Sequence, residues 1–208
     1  MTISNEQEEN ISKVFEAANA SLEIMKKGIR DGAERIKRLM EAGFHIERFM
    51  VNAQLVEHAA KNILHACRLK REVADILGLP DPYAHVGRDK KEQEWFEDSF
   101  RKFSRSSLGI VTRLVRMTTN ENGLVEKLEE FNTFRQEFIH QTFNGTNEMA
   151  DMDKKADDYL THDNSLFEMV MESQALHFKI QQEISALYQS KKVHSAGVEP
   201  AKPEEKAA

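Results

Sequence analysis

The most constraining feature of this chain is an apolar repeat at alternating steps of three and four residues, sustained over long stretches. Between residues 44 and 77 the members of this repeat are Ile46, Phe49, Ala53, Val56, Ala60, Ile63 and Cys67. Such steps place side chains along one face of an α-helix. We find no sustained period-two alternation, which would be typical of β-strands. The pattern therefore predicts an all-α fold.

The repeat divides the chain into five or six predicted helices, and only four prolines and nine glycines interrupt its 208 residues. The predicted helices are residues 5–40, 44–77, 91–117, 124–143 and 165–190, with a short acidic helix over 147–160. From Lys191 onwards Pro, Ala, Glu and Lys dominate and large apolar residues are few, which is typical of disorder. We therefore predict one antiparallel helical bundle over residues 1–190, followed by a disordered tail over residues 191–208.

Composition excludes several classes of protein. No apolar run approaches the ~20 residues of a membrane span, and the polar, acidic start is unlike a secretory signal. Cys67 is the single cysteine, so an internal disulfide and a cysteine-cluster metal site are excluded. The net charge of −6 argues against broad electrostatic binding of nucleic acid, although a local basic patch can still bind it. We expect a soluble, cytoplasmic protein without cofactor, metal or membrane partner.

The helix predicted over residues 124–143 carries an arginine in an unusual position. With Leu124 as zero and ~100° per residue, Phe131 and Phe138 fall within about 40° of zero, on the core stripe. Arg135 falls at about 20°, within that stripe, whereas His140 falls at about 160°. A guanidinium cannot lose its charge, and its desolvation is costly. Arg135 must therefore have a buried acidic partner, or face a cleft or a subunit interface.

The segment Arg135-Gln136-Glu137-Phe138-Ile139-His140 resembles the R-x(4–6)-H motif of the HEPN superfamily. These are all-α domains of bacterial toxins, abortive-infection proteins and some eukaryotic ribonucleases. The motif lies late in the chain within a helix rich in aromatic residues, which is similar to the family's arrangement. Gln136 stands where the family often has Asn, Asp or His. Arg38 and His45 also fit the spacing, but across the predicted helix break at Gly43.

The resemblance implies a metal-independent endoribonuclease that leaves a 2′,3′-cyclic phosphate and a 5′-hydroxyl. It also implies a homodimer in which two sites meet at a cleft, and a role as the toxin of a toxin–antitoxin or phage-defence system with a cognate antitoxin protein. His140 would move protons, because imidazole titrates near neutral pH. Arg135 would bind the scissile phosphate and stabilise its developing charge, with Gln136 in support.

An ion pair is the structural alternative for Arg135. On the second predicted helix Glu57 falls at about 20° from Ile46, on the core stripe. A buried Glu57–Arg135 pair would compensate both charges. It would also serve catalysis, because the carboxylate can aim the guanidinium. The alternative function is a non-catalytic helical interaction protein in which the Arg/His pair is structural.

Four arginines of the third predicted helix form a basic line, with steps of four, eight and three residues that keep them on one side. They are Arg101, Arg105, Arg113 and Arg116. This line is a candidate track for an RNA backbone. The alternative is a solvated charged face, the usual role of such runs.

Two further histidine patterns bear on metal binding. Glu137 and His140 form a Glu-x-x-His motif, but a di-iron bundle needs two such motifs and the chain has no second one. His177 lies on the apolar stripe of the last predicted helix. We interpret it as a core histidine with its hydrogen bonds satisfied.

Overall fold

Helices make up the fold of this protein. A computed structural model describes residues 5–42, 44–143, 149–162 and 165–196, and no strand occurs among them. The α-helices are α1 (Asn5–Ala42), α2 (His45–Ile76), α3 (Lys90–Lys102), α4 (Leu108–Thr118), α5 (Asn122–Phe143), α6 (Met149–His162) and α7 (Ser165–Ala196). The predicted all-α class is confirmed. Residues 197–208, most of the predicted disordered tail, lie outside the described residues.

The third predicted helix is two helices in the structure, which raises the number in the described ranges to seven. After α3 a short 3₁₀ helix (Phe103–Arg105) is followed by extended backbone at Ser106 and Ser107. Serine favours such a break because its hydroxyl competes with helical backbone hydrogen bonds. Ser106 Oγ does so here, donating to the carbonyl oxygen of Lys102 at 3.3 Å. The apolar periodicity of the sequence continues through this break. The sequence pattern therefore did not reveal that α3 and α4 are separate helices.

α2 lies at the centre and packs against α1, α4, α6 and α7. α1 runs antiparallel to it, since Gln7 Nε2 donates to the Ile76 carbonyl oxygen at 3.0 Å while Gly32 lies against Leu55. α7 instead runs parallel to α2, since His177 contacts Asn62 and Glu183 further along contacts Lys70, and this departs from a purely antiparallel bundle. The reason is that α6 returns the chain to the first turn of α2, where Asp153 Oδ1 accepts from the Ile46 N–H at 3.2 Å.

The core is rich in phenylalanine. One cluster forms around Phe49 of α2, which is fully buried against the rings of Phe131, Phe134, Phe138 and Tyr159. Its members come from α2, α5 and α6. Burial of these apolar rings is what fixes α5 against α2 and so positions the Arg135 side chain.

Candidate functional site

Both members of the predicted catalytic pair lie on α5. The buried residues of this helix are Leu124, Val125, Leu128, Phe131 and Phe138. The Arg135 side chain lies on that same face and is 24% exposed, and His140 is exposed. Five residues turn an α-helix by about 140°. Arg135 and His140 therefore leave α5 on different sides, and within one chain they do not converge on a single phosphate.

Glu57 of α2 holds Arg135 within the chain. Glu57 Oε2 lies 3.1 Å from Arg135 Nη1, and Lys61 Nζ donates to Glu57 Oε1 at 2.7 Å. All three side chains are largely shielded from solvent, so their charges interact more strongly than on an open surface. Arg135 Nε is buried and has no hydrogen-bond partner among the described residues. The ion pair expected from the two helical patterns is present, and it joins α2 to α5.

His140 lies on an acidic face of α5. The exposed residues of that face are Glu126, Glu129, Glu130, Thr133, Gln136, Glu137 and His140. Gln136, the predicted supporting residue, therefore projects towards solvent and away from Glu57. An RNA phosphate that approached His140 would meet several carboxylates, and like charges repel. The electrostatics of this face suit a cationic partner better than a polyanion.

The predicted basic line does not form a continuous track, because the break between α3 and α4 separates its two halves. Arg101 pairs with Asp98 at 3.6 Å, and Arg116 Nη2 donates to Glu129 at 2.8 Å. The Arg113 guanidinium lies 3.9 Å from the centre of the Trp95 ring.

Arg113 also lies 3.4 Å from Glu92, so its charge is partly compensated as well. Arg105 is exposed at the end of the 3₁₀ helix and has no carboxylate partner in the described part of the chain. Three of the four arginines are thus already paired with carboxylates. Binding an RNA backbone here would require those pairs to be exchanged for phosphates.

His177 of α7 is buried, as its place on the apolar stripe predicts, but only one of its nitrogens is satisfied. Its Nδ1 lies 2.8 Å from the carbonyl oxygen of Asn62, whereas the buried Nε2 has no partner in the described ranges. Burial lowers the pKa of His177. Across residues 5–42, 44–143, 149–162 and 165–196, no three His, Cys, Asp or Glu side chains come together as metal ligands.

Sequence reasoning missed two features of possible functional importance. An exposed apolar stripe on α7 consists of Phe167, Met171 and Phe178, which are 70%, 48% and 58% exposed. Its spacing of four and seven residues is visible in the sequence, beside the stripe that faces the core. The second feature is a cavity between α1, α2 and α7. It has no signature in the sequence because it depends on how closely the helices approach.

No protein-family model, curated protein or solved structure matches this chain. The resemblance to the HEPN superfamily therefore stays a prediction. None of the helices in the described ranges is both long enough and apolar enough to cross a membrane.

Proposed function

We propose that this protein is a non-catalytic helical interaction protein that pairs with a second copy of itself through α7. The observation that carries the proposal is the exposed stripe of Phe167, Met171 and Phe178. Large contiguous patches of exposed apolar surface are uncommon on monomeric proteins and mark contact surfaces. Two large aromatic side chains on one helix face are suited to bury area against a partner.

The spacing of the stripe favours a second copy as the partner. Phe167, Met171, Gln174 and Phe178 follow steps of four, three and four, the repeat of a coiled-coil seam. Phe167 and Phe178 are equally far from the midpoint between Glu172 and Ser173, as are Met171 and Gln174. Two antiparallel copies of α7 would place Phe167 against Phe178 of the second copy, as a two-fold interface requires.

The charges beside the stripe are already compensated within the chain. Lys127 Nζ donates to Glu172 at 2.6 Å and lies 3.3 Å from Glu168. Lys179 Nζ donates to Glu121 at 2.8 Å. The seam positions themselves carry no charge. A second copy can therefore cover the stripe without burying an unpaired ion, which would be costly.

Sedimentation equilibrium over a range of concentrations tests this proposal. We expect the wild type to dimerise and the variant Phe167→Glu/Phe178→Glu to be monomeric, because two carboxylates would enter the seam. Ile24→Glu is a matched control, since Ile24 is 73% exposed on α1 and outside the stripe. A wild type that stays monomeric, or a double variant that still dimerises, would contradict the proposal.

The second candidate is the HEPN-like ribonuclease, and the Glu57–Arg135 pair is the observation that favours it. A carboxylate paired with Arg135 would orient its guanidinium for binding a phosphate. A quarter of the Arg135 side chain remains exposed. Catalysis would then require His140 to act from a surface shared with another copy.

RNA cleavage in EDTA tests this second candidate, with wild type, Arg135→Ala and His140→Ala compared after each is shown to be folded. His58→Ala, which removes an exposed histidine outside the motif, is the control. Cleavage that leaves cyclic phosphates and is lost only in the two motif variants would establish the ribonuclease. Absence of cleavage by the wild type on varied RNAs would support the interaction protein.

A further inference from the structure

A cavity of about 320 Å³ lies between α1, α2 and α7. Its volume falls in the range of small-molecule sites, which start at roughly 300 Å³. The apolar side chains that line it include Val14, Ala18, Leu22 and Met25 from α1 and Ala66 and Leu69 from α2. His177 of α7 lines it as well. Polar and charged residues complete the lining, namely Lys13, Asn62, His65, Arg68, Glu72 and Gln181, so the cavity combines an apolar face with several polar groups.

The cavity exists because α1 meets α2 closely at two points and leaves a space between them. Ile11 near one end is buried, and at the other end a Cβ on Gly32 would lie 2.8 Å from the Leu55 side chain. Between these points Val14, Leu22 and Met25 are only half-buried, although they continue the apolar face of α1. The helix thus presents apolar surface that the chain itself does not cover.

His177, one of the residues that line the cavity, carries a hydrogen-bond acceptor that the described residues leave unused. A carbonyl oxygen only accepts, so the 2.8 Å contact with Asn62 means that His177 Nδ1 carries the hydrogen. In the neutral ring Nε2 is then an acceptor, and it is buried without a partner among the described residues. A buried acceptor without a partner is unfavourable, and unsatisfied groups of this kind are rare in native proteins.

The charged residues at the cavity are paired with each other or with near neighbours. Lys13 Nζ lies 2.7 Å from Glu9, and Arg68 Nε lies 3.0 Å from Glu72. A charged ligand would have to displace one of these pairs. A neutral ligand would not.

We propose that this cavity binds a small neutral molecule with an apolar body and one hydroxyl or N–H group, which donates to His177 Nε2. The apolar body would cover the half-buried face of α1, and the donor would satisfy the orphaned nitrogen. The site is separate from the Glu57–Arg135 pair and from the α7 stripe. It does not depend on either candidate function.

The test uses 4-propylphenol as the probe and its methyl ether, 4-propylanisole, as a probe that cannot donate. Titrations of ¹⁵N-labelled full-length protein are followed by amide shifts. We expect saturable shifts at Ala18, Ala66 and Leu69. We expect the affinity ratio of phenol to ether to fall about three- to tenfold in His177→Phe, the effect of losing one net hydrogen bond.

A pair of α1 variants locates the site without touching His177. Ala18→Phe fills the cavity and should abolish the shifts, whereas Ala20→Phe, at an exposed position outside the lining, should leave them unchanged. Absence of saturable binding, or binding that survives Ala18→Phe, would overturn the proposal. So would an affinity ratio that is the same in wild type and His177→Phe.

Discussion

Glu57 Oε2 on α2 lies 3.1 Å from Arg135 Nη1 on α5, and Lys61 holds the other oxygen of the same carboxylate. One acid thus compensates two cations where α2 and α5 meet. This relationship gives Arg135 a structural role whatever the function of α5.

Replacing Glu57 by Gln should destabilise the fold by about 1–2 kcal/mol, between the values for exposed and fully buried pairs. The reason is that Arg135 and Lys61 would both lose the negative charge that compensates them, and the glutamine amide would keep only one neutral acceptor oxygen. Urea unfolding measures the change. Glu130→Gln is the control, since Glu130 is an exposed glutamate on α5, the helix that carries Arg135. This substitution should change stability by less than about 0.5 kcal/mol. Equal effects of the two substitutions would show that the ion pair contributes nothing.

Replacing Phe49 by Ala should lower the free energy of unfolding by about 3–5 kcal/mol, because it empties the centre of an aromatic cluster. Phe49 is 0% exposed, and its ring centroid lies 4.5 Å from that of Phe138. Thermal and denaturant unfolding provide the measurement. Phe44→Ala removes the same side chain at a position that is 53% exposed and should have a much smaller effect. A small loss at Phe49 would mean that α5 is not anchored through this cluster.

Cys67 should not react with Ellman's reagent in the native protein. The thiol is fully buried in α2, and burial raises its pKa, so the reactive thiolate is both scarce and inaccessible. The absorbance of the released thiolate should appear only when denaturant unfolds the chain. Reaction of the native protein at the rate of a free thiol would contradict this placement of α2.

Stability should decrease as the pH falls from 7 towards 5.5, with His177 as one source. Burial lowers the pKa of His177 in the folded state below its ordinary value of 6.5, so the unfolded chain binds the proton first. The loss begins near pH 6.5 and continues down to the lowered folded value, with a slope of at most about 1.4 kcal/mol per pH unit.

The pH dependence is measured by urea unfolding at several pH values, for wild type and for His177→Phe. The variant should have a flatter profile over this range, because it lacks the proton-binding ring. An identical slope in both proteins would assign the pH dependence to other groups.

The residues alone predicted much of the fold and one part of the candidate site. Apolar steps of three and four placed α2 and α5 to within about two residues of their observed bounds. The same angular argument put Glu57 and Arg135 on the core-facing stripes of their helices. Because an unpaired guanidinium is so costly to bury, this was enough to anticipate their ion pair.

The apolar periodicity did not predict the structure where side-chain hydrogen bonds compete with those of the helix backbone, or where contacts between separate helices decide which groups are paired. Extended backbone at Ser106 and Ser107 interrupts the helix without interrupting its apolar pattern. The carboxylates that bind Arg113 and Arg116 come from other helices, so no reading of α4 by itself could reveal them.

What the sequence by itself determined is which residues form helices and which face of each helix is apolar, because these follow from local backbone geometry and side-chain spacing. What only the tertiary structure decided is which apolar faces are covered. It buries Phe49, leaves Phe167 and Phe178 exposed, and opens a cavity beside His177. The physical reason is that burial depends on how closely separate helices approach, and that distance is set by the packing of all of them together.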